Sequence, residues 1–217
     1  MSAAGGFMIE FKNTMALDQL TEGVRDFCVV LDVRELGFSD DQFFRLCRDN
    51  ERLFIEKSGA GELIIMSPNR TRTGRTQARF LYRVANWAEQ DGRGDVYDAT
   101  SLIKLPNGSM YVPDLSWILK SRWNSLTKEE QNRNAAPICP DFVVEIRSPR
   151  DRMKRLKAKM QEYIDNGARL GWLLDTIRNK AYIYRPGEPV QEIDKPEILT
   201  GDPVLPGFRF DFREILD

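Results

Sequence analysis

The sequence predicts an α/β protein of short strands and two long helices, and three stretches carry that expectation. Phe142, Val144 and Ile146 alternate with Val143, Glu145 and Arg147 at strand period. After a Ser-Pro break, Met153, Leu156, Met160, Tyr163 and Ile164 recur at helical spacing until Gly167, which is placed to end the helix. Upstream, Thr73 to Glu89 sets Phe80, Leu81, Val84, Ala85, Trp87 and Ala88 on a second broad apolar helix face.

In chain order, residues 1 to 37 offer little beyond a strand over Asp26 to Val33. Ser39, Asp40 and Asp41 open a helix whose apolar face is Phe43, Phe44, Leu46 and Cys47. Leu53 to Glu56 and Glu62 to Met66 flank a Ser-Gly-Ala-Gly turn and read as a hairpin, which puts Glu62 on a strand. Beyond the 73–89 helix, Val96 to Leu105 and Tyr111 to Leu119 read as two strands about the Pro106 to Ser109 turn, with Asp114 inside the second, directly after Pro113. Thr127 and Glu130 form a capping box for a short helix reaching Asn132. Gly171 to Ile177 and Lys180 to Tyr184 are strands, with Asp175 read as a turn residue. Phe208, Phe210, Phe212 and Ile215 suggest an edge strand running into a short helix.

At 217 residues the chain is expected to form one domain, with 1–38 as an N-terminal extension of the remainder. A net charge of −1 means that any polyanion surface must come from local clustering. Such clusters exist. Arg70, Arg72, Arg75, Arg79 and Arg83 occupy a segment with no acid, and seven of the fifteen residues from Ile146 to Met160 are basic. Arg75, Arg79 and Arg83, spaced by four, fall on one helix stripe, either as a solvated face or as one that meets phosphate.

The absence of histidine excludes Ser-His-Asp and Cys-His catalysis and His-ligated zinc. Cys28, Cys47 and Cys139 form no C-x-x-C pair, which suits a reducing cytoplasm, and no apolar run approaches membrane-spanning length.

Any catalysis must therefore use carboxylates, Lys, Arg, Tyr, Ser or Cys. Asp114 and Glu145 lie on strands expected to share one sheet. Two such carboxylates with the main-chain carbonyl of Ile146 supply hard oxygen ligands for Mg2+, with Mn2+ as a substitute. Water activated at such an ion is a nucleophile for phosphodiester hydrolysis. Two cations are candidates to stabilise the developing charge. Arg147 lies two residues beyond Glu145, and Lys159 flanks the apolar face of the following helix. Arg147 holds its proton too firmly to act as a base and could only clamp phosphate or stabilise charge.

Pro113-Asp114 followed by Val144-Glu145-Ile146 resembles the PD-(D/E)xK nuclease signature. The run from Pro140 to Tyr184, together with Gly61 to Pro68 and Leu205 to Phe208, resembles the bacterial Uma-two family of such restriction endonuclease-like proteins. The resemblance implies an α/β/α core with a mixed central sheet flanked by helices, extended here by N-terminal and C-terminal strands. It also implies a magnesium-dependent site and frequent homodimers. Carried onto this chain, Asp114 and Glu145 match the metal carboxylates. Lys159 matches the lysine that this family places on the following helix, because Arg147 stands where the usual triplet has lysine. Glu62 matches a recurring acid of unassigned role, and Arg72-Thr73-Gly74-Arg75 stands where many relatives carry a histidine or an acid. The expected function is DNA endonuclease, with Arg75, Arg79, Arg147 and Arg155 as phosphate contacts. The alternative is a non-catalytic nucleic-acid-binding or protein-interaction module on the same scaffold.

Overall fold

A six-stranded mixed sheet is the centre of the computed structural model, which describes residues 27 to 216. In chain order the elements are β1 (Cys28–Asp32), α1 (Asp40–Asp49), β2 (Phe54–Lys57), β3 (Glu62–Met66), α2 (Thr71–Asp91), β4 (Gly94–Asp98), β5 (Ile103–Lys104), β6 (Met110–Tyr111) and β7 (Leu115–Leu119). The short helices α3 (Lys120–Trp123) and α4 (Lys128–Gln131) lead to β8 (Phe142–Ile146), α5 (Met153–Asp165), β9 (Leu170–Asp175), β10 (Lys180–Tyr184), β11 (Gln191–Asp194), β12 (Ile198–Thr200) and β13 (Arg209–Asp211). A 3-10 turn, Phe212–Ile215, follows β13.

The central sheet runs β11-β10-β9-β8-β7-β4, with β8 and β9 parallel and the other neighbours antiparallel. The strand period of β8 sorts its side chains between two helical layers. Phe142, Val144 and Ile146 join Phe80, Val84 and Ala88 of α2 and Phe208, Phe210 and Phe212 of the tail. Val143 faces the other way, into a cluster with Leu156, Met160, Tyr163 and Ile164 of α5. Burial of a large apolar side chain is worth about 1.5–3 kcal/mol, so these two interfaces clamp β8 from both sides. Every residue of β8, Glu145 included, is buried.

A second, antiparallel sheet runs β1-β3-β2-β6-β5. Ile64, Ile103, Leu105 and Tyr111 place it against the α5 cluster, while Phe43 of α1 packs with Ile55, Leu63 and Met110 in a further cluster. The hairpin between β2 and β3 turns at Gly61, whose φ of 78° is readily available to glycine.

Two sequence expectations are corrected and a third is extended. Val96 to Leu105 is not one strand. Asp98 Oδ1 accepts Thr100 N–H at 3.1 Å and the hydroxyls of Thr100 and Ser101, an Asx turn that takes the chain from β4 in one sheet to β5 in the other. Tyr111 to Leu119 is likewise broken. Pro113 has no N–H to donate to a ladder, and Asp114 lies in the break between β6 and β7 rather than within a strand. Asp175 does hold the turn after β9, its Oδ1 accepting the Arg178 N–H at 3.1 Å, but it is the last residue of the strand, fully buried, and its Oδ2 accepts Arg147 Nη1 at 2.7 Å.

Boundaries also differ. The first strand is Cys28–Asp32, and Asp26 lies outside the described residues. The helix expected from Thr73 starts at Thr71, and the tail strand β13 pairs with β12 instead of extending the central sheet. The capping box expected at Thr127 with Glu130 is present, and the helix start expected at Ser39 is a capping box too, completed by Gln42, which the sequence reading did not name.

Candidate active site

Asp114 and Glu145 reach one cavity because β7 and β8 are antiparallel neighbours. Leu115, the first residue of β7, pairs with Val144. Asp114 Oδ2 accepts the Ile146 main-chain N–H at 2.6 Å, and Oδ1 accepts Gln77 Nε2 at 2.5 Å from α2. The Asp114 carboxylate is therefore oriented by the strand end that carries Glu145 and by one side chain from across the sheet.

Glu145 points to the α5 side. Its Oε1 lies 2.7 Å from Lys159 Nζ and accepts the Tyr163 hydroxyl at 3.0 Å. Lys159 and Tyr163 are one helical turn apart, so α5 presents both to the same oxygen. Lys159 also donates to Glu56 Oε1 at 2.8 Å and lies 5.0 Å from the Tyr111 ring centroid. Glu56 Oε1 in turn accepts the Val112 N–H at 2.9 Å.

The electrostatics follow from this burial. Burial pushes the Asp114 carboxyl up to about 6, against the pull of the Ile146 N–H, Lys159 and Gln77. Burial also raises the Glu145 carboxyl, only partly offset by Lys159 and reinforced by Asp114 and Glu56. For Lys159, burial opposes the charge, yet the carboxylates of Glu145 and Glu56 outweigh it and hold the ammonium above its ordinary value. Glu56 and Glu145 thus share one lysine, with Asp114 close by, and burial makes it costly to ionise both Asp114 and Glu145 together.

The cavity over these groups has a volume of about 200 Å³. Asp114, Glu145, Ile146, Lys159, Glu56 and Glu62 all line it, as do Arg150 and Arg155. One wall is fixed by Glu162 of α5, whose carboxylate accepts the Gly59 N–H at 2.9 Å, Asn107 Nδ2 at 2.7 Å, the Ser109 hydroxyl, and the Tyr111 hydroxyl at 2.6 Å. A Cβ at Gly59 would crowd Asn107 Nδ2 and stand 2.6 Å from Glu162 Oε1, so a larger residue there would push these two side chains off their shared hydrogen bonds.

Among the described residues no group of three or more His, Cys, Asp or Glu side chains is arranged to hold a metal ion by itself. The donor set does fit a magnesium-type ion, which characteristically takes one or two carboxylates and completes its shell with water and substrate phosphate. Asp114 and Glu145 are hard oxygen donors: each Asp114 oxygen accepts one hydrogen bond and keeps a second lone pair, whereas Glu145 Oε1 is taken by Lys159 and Tyr163, which leaves Oε2 as its donor toward an ion.

The other sequence candidates divide. Arg147 is engaged by Asp175 in a buried ion pair at the ends of β8 and β9 and is not among the cavity residues. On the α2 stripe, Arg79 donates to the Glu214 carbonyl at 2.9 Å and Arg83 pairs with its carboxylate at 2.8 Å, so both reach the C-terminal turn. Arg155 lines the cavity and contacts Cys28 Sγ. Glu62 lines the outer part of the hairpin wall, with the Ser58 hydroxyl 3.5 Å away. Sequence reasoning had no role for Glu56, Gln77 or Glu162 and treated Tyr163 as core. For Glu56 a signal existed in an acid following Phe54 and Ile55 on a strand, as Glu145 does among valines.

A mixed sheet between helical layers, with two acids at the neighbouring ends of antiparallel strands, defines a protein of the restriction endonuclease-like fold. A solved structure supports this at the level of fold. The chain is 19% identical to a "putative nuclease belonging to DUF820" from Anabaena variabilis, with a TM-score of 0.68 over 81% of this chain and 95% of that one. Residues 40–213 match the family model Uma2, described as "Putative restriction endonuclease", and the chain belongs to that family. No curated protein matches it. Among the described residues no helix is long and apolar enough to cross a membrane.

Proposed function

We propose that this protein is a metal-dependent endonuclease that hydrolyses phosphodiester bonds in DNA. The observation that carries the reading is the convergence of Asp114, Glu145 and Lys159 on one cavity, with the Asp114 carboxylate bonded to the Ile146 N–H next to Glu145 and the Glu145 carboxylate paired with Lys159. Asp114, Glu145 and the Ile146 carbonyl would hold Mg2+, with Mn2+ as a substitute. When bound, such an ion supplies an acidified water and neutralises charge on the phosphate.

The chain's own groups do the rest. The Ile146 N–H and Gln77 fix the rotamer of Asp114, and the Tyr163 hydroxyl fixes that of Glu145. Lys159 keeps its proton and faces the reacting phosphate as a fixed positive charge, stabilising the negative charge that grows on the phosphoryl oxygens during attack. Arg155, at the cavity, and the Arg75 and Arg79 stripe are assigned to more distant phosphates, and Arg147 to holding the strand ends beside them. The protein is read as a cytoplasmic homodimer.

The test is cleavage of supercoiled plasmid, linear duplex and single-stranded DNA, with RNA alongside, in Mg2+ or Mn2+ and in chelator. Wild-type protein is expected to cut DNA only with the ion, and Glu145→Gln to lose cutting while keeping its fold. Ion-independent cutting, or equal cutting by Glu145→Gln, would reject the mechanism. DNA retention with no cutting under any condition would favour the non-catalytic module.

A further inference from the structure

Glu56 is a buried acid, 3% exposed, on a strand of the second sheet, and nothing in the proposed hydrolysis yet uses it. A single oxygen of its carboxylate makes two contacts of different kinds. Oε1 accepts Lys159 Nζ at 2.8 Å and the Val112 N–H at 2.9 Å. Val112 lies in the gap between β6 and β7, where the chain changes sheets, and is two residues before Asp114. The oxygen thus ties together the cation of the site and the segment that presents one of its carboxylates.

Lys159 also stands between two acids, at 2.8 Å from Glu56 and 2.7 Å from Glu145. Without Glu56 its three donors and its whole charge would fall to Glu145, the residue the site needs for a divalent ion. A buried ion pair contributes little net stability compared with apolar packing, so packing alone gives no reason for an acid at this point of β2.

We propose that Glu56 is a positioning residue: it shares Lys159 with Glu145, so that the ammonium does not spend its whole charge on the carboxylate needed by a divalent ion, and it anchors the Val112 to Asp114 segment. The proposal rests on the reading of this cavity as a hydrolytic site. Glu56 acts through Lys159 and Asp114 and touches no substrate.

The test compares Glu56→Gln, Glu56→Asp and Glu56→Ala with wild type by Mn2+ calorimetry, plasmid-nicking kinetics and thermal melting. Glu56→Gln keeps an acceptor for the Val112 N–H and removes only the charge. It is expected to melt close to wild type, to bind Mn2+ about tenfold more weakly and to lose kcat by about 10- to 100-fold with KM for plasmid nearly unchanged. Glu56→Asp should recover part of both losses relative to Glu56→Ala. Wild-type ion affinity and kcat in Glu56→Gln would overturn the proposal, as would a loss confined to melting temperature. Wild-type protein that binds Mn2+ but cuts nothing would reject the nuclease reading separately, and ion affinity alone would then decide whether Glu56 acts as proposed. Wild-type protein that neither binds Mn2+ nor cuts would overturn both.

Discussion

The carboxylate of Asp114 accepts the main-chain N–H of Ile146 at 2.6 Å, so an acid in the break before β7 is fastened to the end of the strand that carries Glu145. The bond brings two acids from distant parts of the sequence to one point, with a main-chain donor holding the Asp114 side chain in the rotamer that faces the cavity. Asp114→Asn keeps a carbonyl oxygen that can accept the same N–H. This variant should melt at or above the wild-type temperature, because it removes a buried charge, and should lose Mg2+ binding by calorimetry together with DNA cleavage. Retained ion affinity would remove Asp114 from the proposed ligand set.

Stability should depend on pH through the same groups. The Asp114 carboxyl is held at about 6 against an ordinary 3.8, and that of Glu145 above its ordinary 4.5. An acid whose folded-state pKa exceeds its unfolded value binds its proton more tightly when folded, so its contribution is complete below the unfolded value and lost as pH rises through the folded one. In chelator, stability should therefore fall as pH climbs from about 4 past about 6, by roughly 3 kcal/mol for Asp114 alone. The gain in melting temperature on adding Mg2+ should grow over the same window. A double variant, Asp114→Asn with Glu145→Gln, should lose both trends; if the Mg2+ effect is flat with pH in wild type, the ion is not relieving these two charges.

Lys159 lies between Glu56 and Glu145 and is 8% exposed. Lys159→Met leaves two buried carboxylates with no ammonium between them and should cost about 3–5 kcal/mol by chemical denaturation. Made in a Glu145→Gln background, the same change should cost measurably less, because one of the stranded charges is already gone. Additive costs would show that the lysine and Glu145 do not interact in solution.

Arg147 gives a contrasting case. Its Nη1 lies 2.7 Å from Asp175, which is completely buried at the end of β9. Arg147→Met should lower stability by about 3–5 kcal/mol by leaving that carboxylate unpaired, and Arg147→Met with Asp175→Leu should restore most of it. Failure of the second change to rescue would mean that Arg147 contributes through something other than this pair.

Glu162 tests the wall of the site. Glu162→Ala leaves the Gly59 N–H, Asn107, Ser109 and Tyr111 without their common acceptor, at about 1–3 kcal/mol for each donor that water cannot reach. Faster hydrogen exchange is expected in the Ser58 to Glu62 turn and the Pro106 to Ser109 turn, with the central sheet unaffected. Uniformly accelerated exchange would point to global destabilisation instead.

Much of the secondary structure was legible because it follows from local patterns. Period two in Phe142 to Ile146, period 3.6 in α2 and α5, the helix start at Ser39 and the capping box of Thr127 with Glu130 depend only on neighbours a few residues away. The strands over 96–105 and 111–119 were misread where apolar patterning continues across a change of sheet. At Asp98 and at Pro113 hydrogen-bond geometry, not hydrophobicity, ended the pairing. The turn role of Asp175, whose carboxylate accepts the Arg178 N–H, is local and was legible, whereas its burial and its ion pair with Arg147, 28 positions earlier, were not.

The sequence by itself determined the chemical vocabulary of this protein. Without histidine it excluded imidazole chemistry, and Pro113-Asp114 with Val144-Glu145-Ile146 ahead of a basic helix pointed to two carboxylates and a cation, either Arg147 or Lys159. Only the tertiary structure decided who meets whom. It set Lys159 rather than Arg147 beside Glu145, brought Glu56 across from the second sheet, and turned Arg79 and Arg83 toward Glu214. The reason is that element formation is governed by short-range periodicity, whereas the pairing of charges depends on strand order and on which helix covers which face, relations between residues far apart along the chain.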